Sequence, residues 1–313
     1  MILASIDIGS NTIRLLVADT SGGRISPLRH ERKVTRLATG LHKSGRISSV
    51  PLAETVRTVK DFAEIARRDG AARIIMAGTS ALREAVNASD ALRDIEEAAA
   101  LPLDIISGQR EAEIMSMGVL SGLEIKGHAV VFDIGGGSTE FIALDNGNIL
   151  KSITFPSGVV RMMEQAVYDD PPSIDDVRRL DRLALDLAEG ALEQLGDHLK
   201  DRALLIGTAG TATTLASLDM ELERYDWKRV QGRVLSLERL YALEGLIQRM
   251  PLDLRRKIKG MDPERADLIV AGTRLTIRIM EALDYKIMTV SDHGLLEGLI
   301  VWLSLEMHKR AGK

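Results

Sequence analysis

The sequence predicts a mixed α/β protein made of two related halves. Three observations predict it. Apolar, β-prone runs joined by glycine-bearing turns open each half, helical spacings alternate with short buried strands behind each opening, and the two openings overlay. At about 150 residues per domain, 313 residues also suit two domains.

Residues 2–8 and 12–18 are apolar, and Gly9-Ser10-Asn11 between them is turn chemistry, so a hairpin is expected first. A third strand is expected within 24–36. The spacing of Leu52, Val56, Val59, Phe62, Ala63 and Ala66 predicts a helix over 52–68. A short buried strand at 73–77, helical segments near 80–86 and 89–100, a strand at 103–106 and a helix over 110–123 complete the half.

The second half restarts with a strand at 129–134, the turn Gly135-Gly136-Gly137 and a strand at 139–144. Asp145-Asn146-Gly147-Asn148 is a hairpin turn before a strand at 149–155. Helices are expected over 173–195, capped by Ser173, over 236–249 and over 263–282, with short strands at 203–206 and 286–290. Asp7-Ile8-Gly9 overlays Asp133-Ile134-Gly135, Thr12 overlays Ser138, Arg14 overlays Glu140 and Asp19 overlays Asp145. The expected domains are therefore 1–124, joined by a last helix within 294–313, and 125–313, with a cleft between them.

Composition removes several functions. With 45% hydrophobic and 27% charged residues the chain can build a core. It has no cysteine, so disulfide scaffolds, zinc–thiolate sites, iron–sulfur clusters and thiol nucleophiles are excluded. Aromatic residues are only 3% and the net charge is −4, which argue against general nucleic-acid binding. The N-terminal run lacks a basic n-region, and the apolar stretch 295–305 carries Glu297 and is too short to span a bilayer. A cytoplasmic protein without membrane partners is the expectation.

The paired turns carry the first chemistry. Turns rich in Gly, Ser and Asn expose backbone N–H groups to an anion, and Asp7 or Asp133 just before them can hold a divalent cation. A single copy would read as a plain hairpin turn; the duplication favours phosphate. Gly207-Thr208-Ala209-Gly210-Thr211 opens a helix after a strand, where Gly207, Gly210 and Thr211 suit either a phosphate or close packing. Glu111 and Glu113 lie in a first helical turn, as dipole partners or as a general base, and spacing does not decide between them. Glu140 alternates with apolar neighbours on a strand. Arg83 can grip a phosphate bidentately or sit exposed on its helix. Residues 24–36 are basic, which suits a polyanion path or a solvated face.

Seven segments in order resemble the exopolyphosphatase / guanosine pentaphosphate phosphohydrolase (Ppx/GppA) family. They are DIGSNTIRLLV (7–17), TSALREAVN (79–87), ISGQREAEIMSMGV (106–119), FDIGGGSTEF (132–141), GTAGTATTLA (207–216), PERADLIVAG (263–272) and SDHGLLEG (291–298). The resemblance implies the actin-like (sugar kinase/heat-shock ATPase), ribonuclease H-like fold in its short two-domain form. It also implies that Glu111 is the base, and that Asp133 and Glu140 place metal and water. Asn11, Arg83 and Gly135, Gly136, Gly137 and Ser138 would then bind phosphate, with Ser10 of the first turn a further candidate from the turn chemistry itself. Mg²⁺ or another divalent cation such as Mn²⁺ is the implied cofactor, with Asp7 a further metal candidate, and a homodimer is implied. Two positions depart from the family pattern: Leu296 stands where Arg is common, and Arg36-Leu37-Ala38 where Arg-Leu-Gly is.

The expected activity is hydrolysis of the terminal phosphate of inorganic polyphosphate, with the 5′-phosphate of guanosine pentaphosphate as alternative substrate. A kinase of the same superfamily and a non-catalytic nucleotide or polyphosphate sensor are the competing readings.

Overall fold

A computed structural model describes residues 1–199 and 203–311. The chain divides into two compact units, Met1–Ser121 with His293–Lys313, and Gly122–Asp292.

The first unit holds a five-stranded sheet built from β1 (Ile2–Ile8), β2 (Thr12–Asp19), β3 (Ser26–Val34), β4 (Arg73–Gly78) and β5 (Leu103–Ile105). Its order is β3-β2-β1-β4-β5, antiparallel along β3-β2-β1 and parallel along β1-β4-β5. β2 is apolar on both faces because both are covered. Ile13, Leu15 and Val17 pack in the cluster that holds Val59, Phe62, Ala63 and Ala66 of the helix Ser49–Arg68. Leu16 and Ala18 point the other way and, with Leu3, meet Leu296 and Ile300 of the helix Leu295–Ala311.

That last helix crosses the helix Gly108–Gly122 on glycines. A Cβ on Gly118 would lie 1.8 Å from the Gly294 carbonyl oxygen, and one on Gly298 would lie 1.8 Å from that of Ile114. Only glycine permits so close an approach. The Ser121 hydroxyl lies 2.9 Å from His293 Nδ1 at the same end.

The second unit holds β6 (His128–Ile134), β7 (Thr139–Asp145), β8 (Asn148–Phe155), β9 (Leu204–Thr208), β10 (Val234–Ser236) and β11 (Ile287–Val290). Their order, β10-β11-β9-β6-β7-β8, repeats all five strands of the first sheet in order and direction when read from β8, with β10 added at the edge. Asn146 and Gly147 both have positive φ, 48° and 81°, as the tight β7–β8 hairpin turn requires. Ser173 caps the helix Ile174–Leu195 in a reciprocal capping box with Asp176. This is the α/β arrangement of the actin-like, ribonuclease H-like type expected from the sequence.

Three local expectations change. The helix expected over 263–282 begins only at Ile269. Residues 263–268 form turns, held by the Arg265 amide on the Asp262 carbonyl (2.9 Å) and by the Arg265–Asp262 ion pair (3.3 Å). A helix at Val159–Ala166 and the edge strand β10 were not expected. Among the described residues no helix is long and apolar enough to cross a membrane.

Candidate active site

In the first unit β1 and β2 pair with Asp7 opposite Arg14 and Ile8 opposite Ile13, leaving Gly9-Ser10-Asn11 as the bend. The Gly9 amide closes it on the Thr12 carbonyl at 3.1 Å. The chain leaving β3 then returns to grip the bend. The amides of Thr35 and Arg36 both donate to the Asn11 carbonyl (3.0 Å each), and the Ala38 amide donates to that of Ser10 (2.8 Å). A trans peptide directs its C=O and the following N–H oppositely. With the Ser10 carbonyl turned to this latch, the Asn11 N–H is directed away from it, as an anion cradle needs. Asp7 is buried, and its Oδ2 accepts from Arg14 Nη2 at 2.6 Å and Nε at 3.1 Å.

Arg83 and Glu111 come together in the same unit. Arg83 Nη1 donates to Glu111 Oε2 at 2.5 Å and to the Ile106 carbonyl at 3.0 Å. Glu111 is 6% exposed, whereas the Glu113 side chain is 37% exposed and paired with Arg110 at 2.9 Å. Spacing alone treats the two glutamates alike; the fold turns Glu111 inward against a cation.

In the second unit the same backbone carries different charges. Asp133 on β6 is the register partner of Glu140 on β7, and the two carboxylates are buried, at 8% and 2% exposure. Directly opposite residues of an antiparallel pair share a face with Cβ atoms about 5 Å apart, where like charges repel. A divalent cation relieves that repulsion. Mg²⁺ is ordinarily held by one or two carboxylates, with water and substrate phosphate completing its shell. The pair offers such carboxylates, and no cluster of three or more His, Asp or Glu side chains that could hold a metal ion is present among the described residues.

Gly135, Gly136, Gly137 and Ser138 form the bend beside this pair, closed by the Gly135 amide on the Ser138 carbonyl at 3.0 Å. Here the latch is the start of the helix Val159–Ala166. The amides of Val159 and Val160 donate to the carbonyls of Gly135 and Gly136 (3.0 Å each), which directs the N–H groups of Gly136 and Gly137 outward. Gly158 makes this contact feasible, since a Cβ there would sit 2.4 Å from the Gly135 oxygen.

The segment after β9 is partly architectural. A Cβ on Gly207 would meet Phe132 at 2.9 Å and Ala212 at 3.1 Å, so close packing requires this glycine. Thr211 Oγ1 donates to the Ile134 carbonyl at 3.3 Å. Ala209, the first residue of the helix Ala209–Asp219, has a φ of 58°, an unusual left-handed conformation for a residue with a side chain. A Cβ on Gly210 would fall 1.6 Å from Arg265 Nη1, so the missing side chain admits a guanidinium at this helix start. Sequence reasoning did not single out Arg265. Its motif was visible, but nothing in the spacing links it to a glycine more than fifty residues earlier. Leu296 is buried with Leu3 and Leu16 rather than displayed at a functional surface.

Residues 16–307 match the family model described as the Ppx/GppA phosphatase family. The chain is 33% identical to exopolyphosphatase 2 of Mycobacterium tuberculosis, covering 96% of this chain and 98% of that protein. Among solved structures, an exopolyphosphatase from Cytophaga hutchinsonii superposes with a TM-score of 0.87 at 28% identity, over 97% of both chains. The Aquifex aeolicus member of the Ppx/GppA family superposes with a TM-score of 0.83 at 28% identity, over 98% of both chains. On the match along nearly its whole length, this chain belongs to the Ppx/GppA phosphatase family.

Proposed function

We propose that the protein is an exopolyphosphatase, releasing the terminal phosphate of inorganic polyphosphate by attack of water with the help of a divalent cation, Mg²⁺ or Mn²⁺. Family membership makes it a phosphatase, and the relatives named as exopolyphosphatases support polyphosphate as the substrate. The observation that carries the reading is the buried cross-strand carboxylate pair, Asp133 and Glu140, beside a glycine bend whose N–H groups face outward.

Asp133 is the principal cation ligand in this reading and Asp7 the secondary one, because Arg14 already neutralises part of Asp7. The bound cation would draw charge from the phosphate oxygens. The N–H groups of the bend at Gly135, Gly136, Gly137 and Ser138 are assigned to phosphate binding, and Ser10 and Asn11 have the same role in their own unit. Gly210 admits Arg265, which adds positive charge near Thr211. Arg83 offers a planar fork to a phosphate oxygen. Glu111 is assigned the role of base toward water, and Glu140 that of helping to place water. One P–O bond forms to water, the bridging P–O bond breaks, and the shortened chain leaves on its oxygen.

The test measures phosphate release from long-chain polyphosphate, short chains and guanosine pentaphosphate, with Mg²⁺ and with chelator. Release from polyphosphate that chelator abolishes is the expected result. Release from guanosine pentaphosphate alone would replace this reading with a 5′-phosphohydrolase. Transfer of the terminal phosphate to a sugar or an acid would make the protein a kinase, and binding without turnover a sensor.

A further inference from the structure

Arg255 ends the helical turn Leu252–Arg255 and is only 2% exposed. Its Nε donates to the Ile247 carbonyl at 3.0 Å, its Nη2 to that of Met250 at 2.8 Å and its Nη1 to that of Ala266 at 2.9 Å. The half-exposed Asp170 carboxylate stands 3.4 Å from Nη2. Burying a guanidinium is costly, and apolar side chains of similar volume commonly give equal or greater stability. What the guanidinium joins is therefore the informative feature. Ile247 ends the helix Leu237–Ile247 and Met250 follows it, so two of the bonds set a cation at a helix C-terminus, an ordinary stabilising arrangement. The third partner differs in kind. Ala266 lies in the turns 263–268, next to Arg265.

The chain that carries Arg265 touches the helix Ala209–Asp219 at two places. Gly260, with a φ of 85°, sits so close that a Cβ there would lie 2.2 Å from the Ser217 oxygen. Arg265 lies over Gly210, about 10 Å nearer the helix start at 1.5 Å per residue. Between the two contacts the backbone has only turn bonds. The Arg265 amide donates to the Asp262 carbonyl (2.9 Å), and the amides of Leu268 and Ile269 both donate to the Arg265 carbonyl (2.9 and 3.0 Å). The Arg265–Asp262 ion pair at 3.3 Å is equally local and draws the guanidinium towards its own turn. The bond from Arg255 to Ala266 comes from outside the turn and ties it to the end of the helix Leu237–Ile247.

We infer that Arg255 is a positioning residue: by holding the Ala266 carbonyl it keeps the Arg265 guanidinium over Gly210, at the start of the helix Ala209–Asp219. The inference rests on the reading of that helix start as part of the phosphate site, and it adds a residue that touches no substrate. The chemistry requires arginine. Three different nitrogens, Nε, Nη1 and Nη2, each serve one carbonyl, and the rigid planar fork transmits the position of one helix end to the turn. A lysine has one nitrogen, which cannot stand in three places. An apolar side chain would fill the volume and release the turn.

A double-mutant cycle between Arg255 and Arg265 tests this. Steady-state kinetics on polyphosphate are measured for Arg255→Met, Arg255→Lys, Arg265→Ala and the double variants, well below each thermal midpoint. Arg265→Ala is expected to raise KM about tenfold, the worth of one hydrogen bond to a charged group. Arg255→Met should raise KM about fivefold and keep kcat within about twofold, the split that marks lost binding rather than lost chemistry. Arg255→Lys should fall between methionine and wild type. In the Arg265→Ala background Arg255→Met should add less than about twofold, because a residue that acts through another has nothing left to position.

A wild-type KM in Arg255→Met, a loss confined to kcat, or effects of the two substitutions that multiply would overturn the inference. So would a failure of both Arg255 variants to fold, which would make Arg255 a determinant of stability alone. The parent reading fails separately. Calorimetry with tripolyphosphate and chelator reads the same cycle without turnover. Coupling there, in a protein that releases no phosphate from polyphosphate, removes the exopolyphosphatase and leaves Arg255 in its role. Turnover of polyphosphate without coupling does the reverse.

Discussion

The two units use one backbone device with opposite electrostatics. In each, an aspartate is the penultimate residue of the first strand, a glycine amide closes the bend at 3.0–3.1 Å, and a later segment clamps the bend's carbonyls. They differ in the residue opposite the aspartate. Arg14 faces Asp7, while Glu140 faces Asp133. An aspartate hydrogen-bonded to an arginine is largely neutralised before any ligand arrives. Two facing carboxylates concentrate negative charge on one face. The duplicated hairpin thus carries an ion pair beside one bend and two facing carboxylates beside the other, through a single cross-strand position.

Neutralising each aspartate is the strongest way to break the contrast. Asp133→Asn is expected to lower phosphate release by roughly a thousandfold, about 4 kcal/mol of barrier, and to weaken Mg²⁺ dependence. Asp7→Asn should cost markedly less, because Arg14 already offsets that charge. Steady-state rates across a Mg²⁺ titration separate the two, and equal losses would dissolve the distinction between the bends. Next in size, Glu111→Gln keeps an oxygen for Arg83 but removes the base, and kcat should fall about a hundredfold or more. Glu113→Gln, two residues along the helix and partly exposed, should leave kcat unchanged.

The clamps offer a third comparison. Gly158→Ala forces a Cβ onto backbone atoms of Gly135 and Gly136, which cannot swing aside. It should destabilise the second unit by about 1–3 kcal/mol, read as a lower denaturation midpoint. The corresponding clamp in the first unit contains no glycine and tolerates side chains at residues 35–38.

The smallest effect lies at the far end of the hairpins. Asp19 accepts from the Ser21 amide (2.9 Å) and hydroxyl (2.8 Å), which pull its carboxyl down to about 2. A depressed folded-state value contributes stability above the unfolded value near 3.8, and that contribution is lost as pH falls towards 2. Acid unfolding of Asp19→Asn should therefore be slightly less pH-dependent in that window. The effect is small because the group is exposed to solvent.

The hairpin bends were legible in the sequence because they are local. A glycine turn between two apolar runs predicts a strand pair, and the overlay of Asp7 on Asp133 is matched by the registers of β1–β2 and β6–β7. The clamps were not legible. Thr35, Gly158 and Arg265 act on residues distant in sequence, and their roles arise from close approach that no periodicity encodes. The helix expected from residue 263 failed for a related reason: Arg265 is held by Asp262 and by the space over Gly210, a tertiary demand that overrides local helical spacing. Arg255 misleads in the opposite sense. It is charged yet only 2% exposed, and its guanidinium is satisfied by the carbonyls of Ile247, Met250 and Ala266.

The glycine crossing between the helices Gly108–Gly122 and Leu295–Ala311 has a consequence for biosynthesis. The first unit is discontinuous, and Leu3, Leu16 and Ala18 are covered by residues made only after the whole second unit. At about 5–20 residues per second, a ribosome leaves that sheet face bare for on the order of ten seconds. The part translated first is thereby the part that matures last, and in the interval its exposed strands are a natural client for a chaperone.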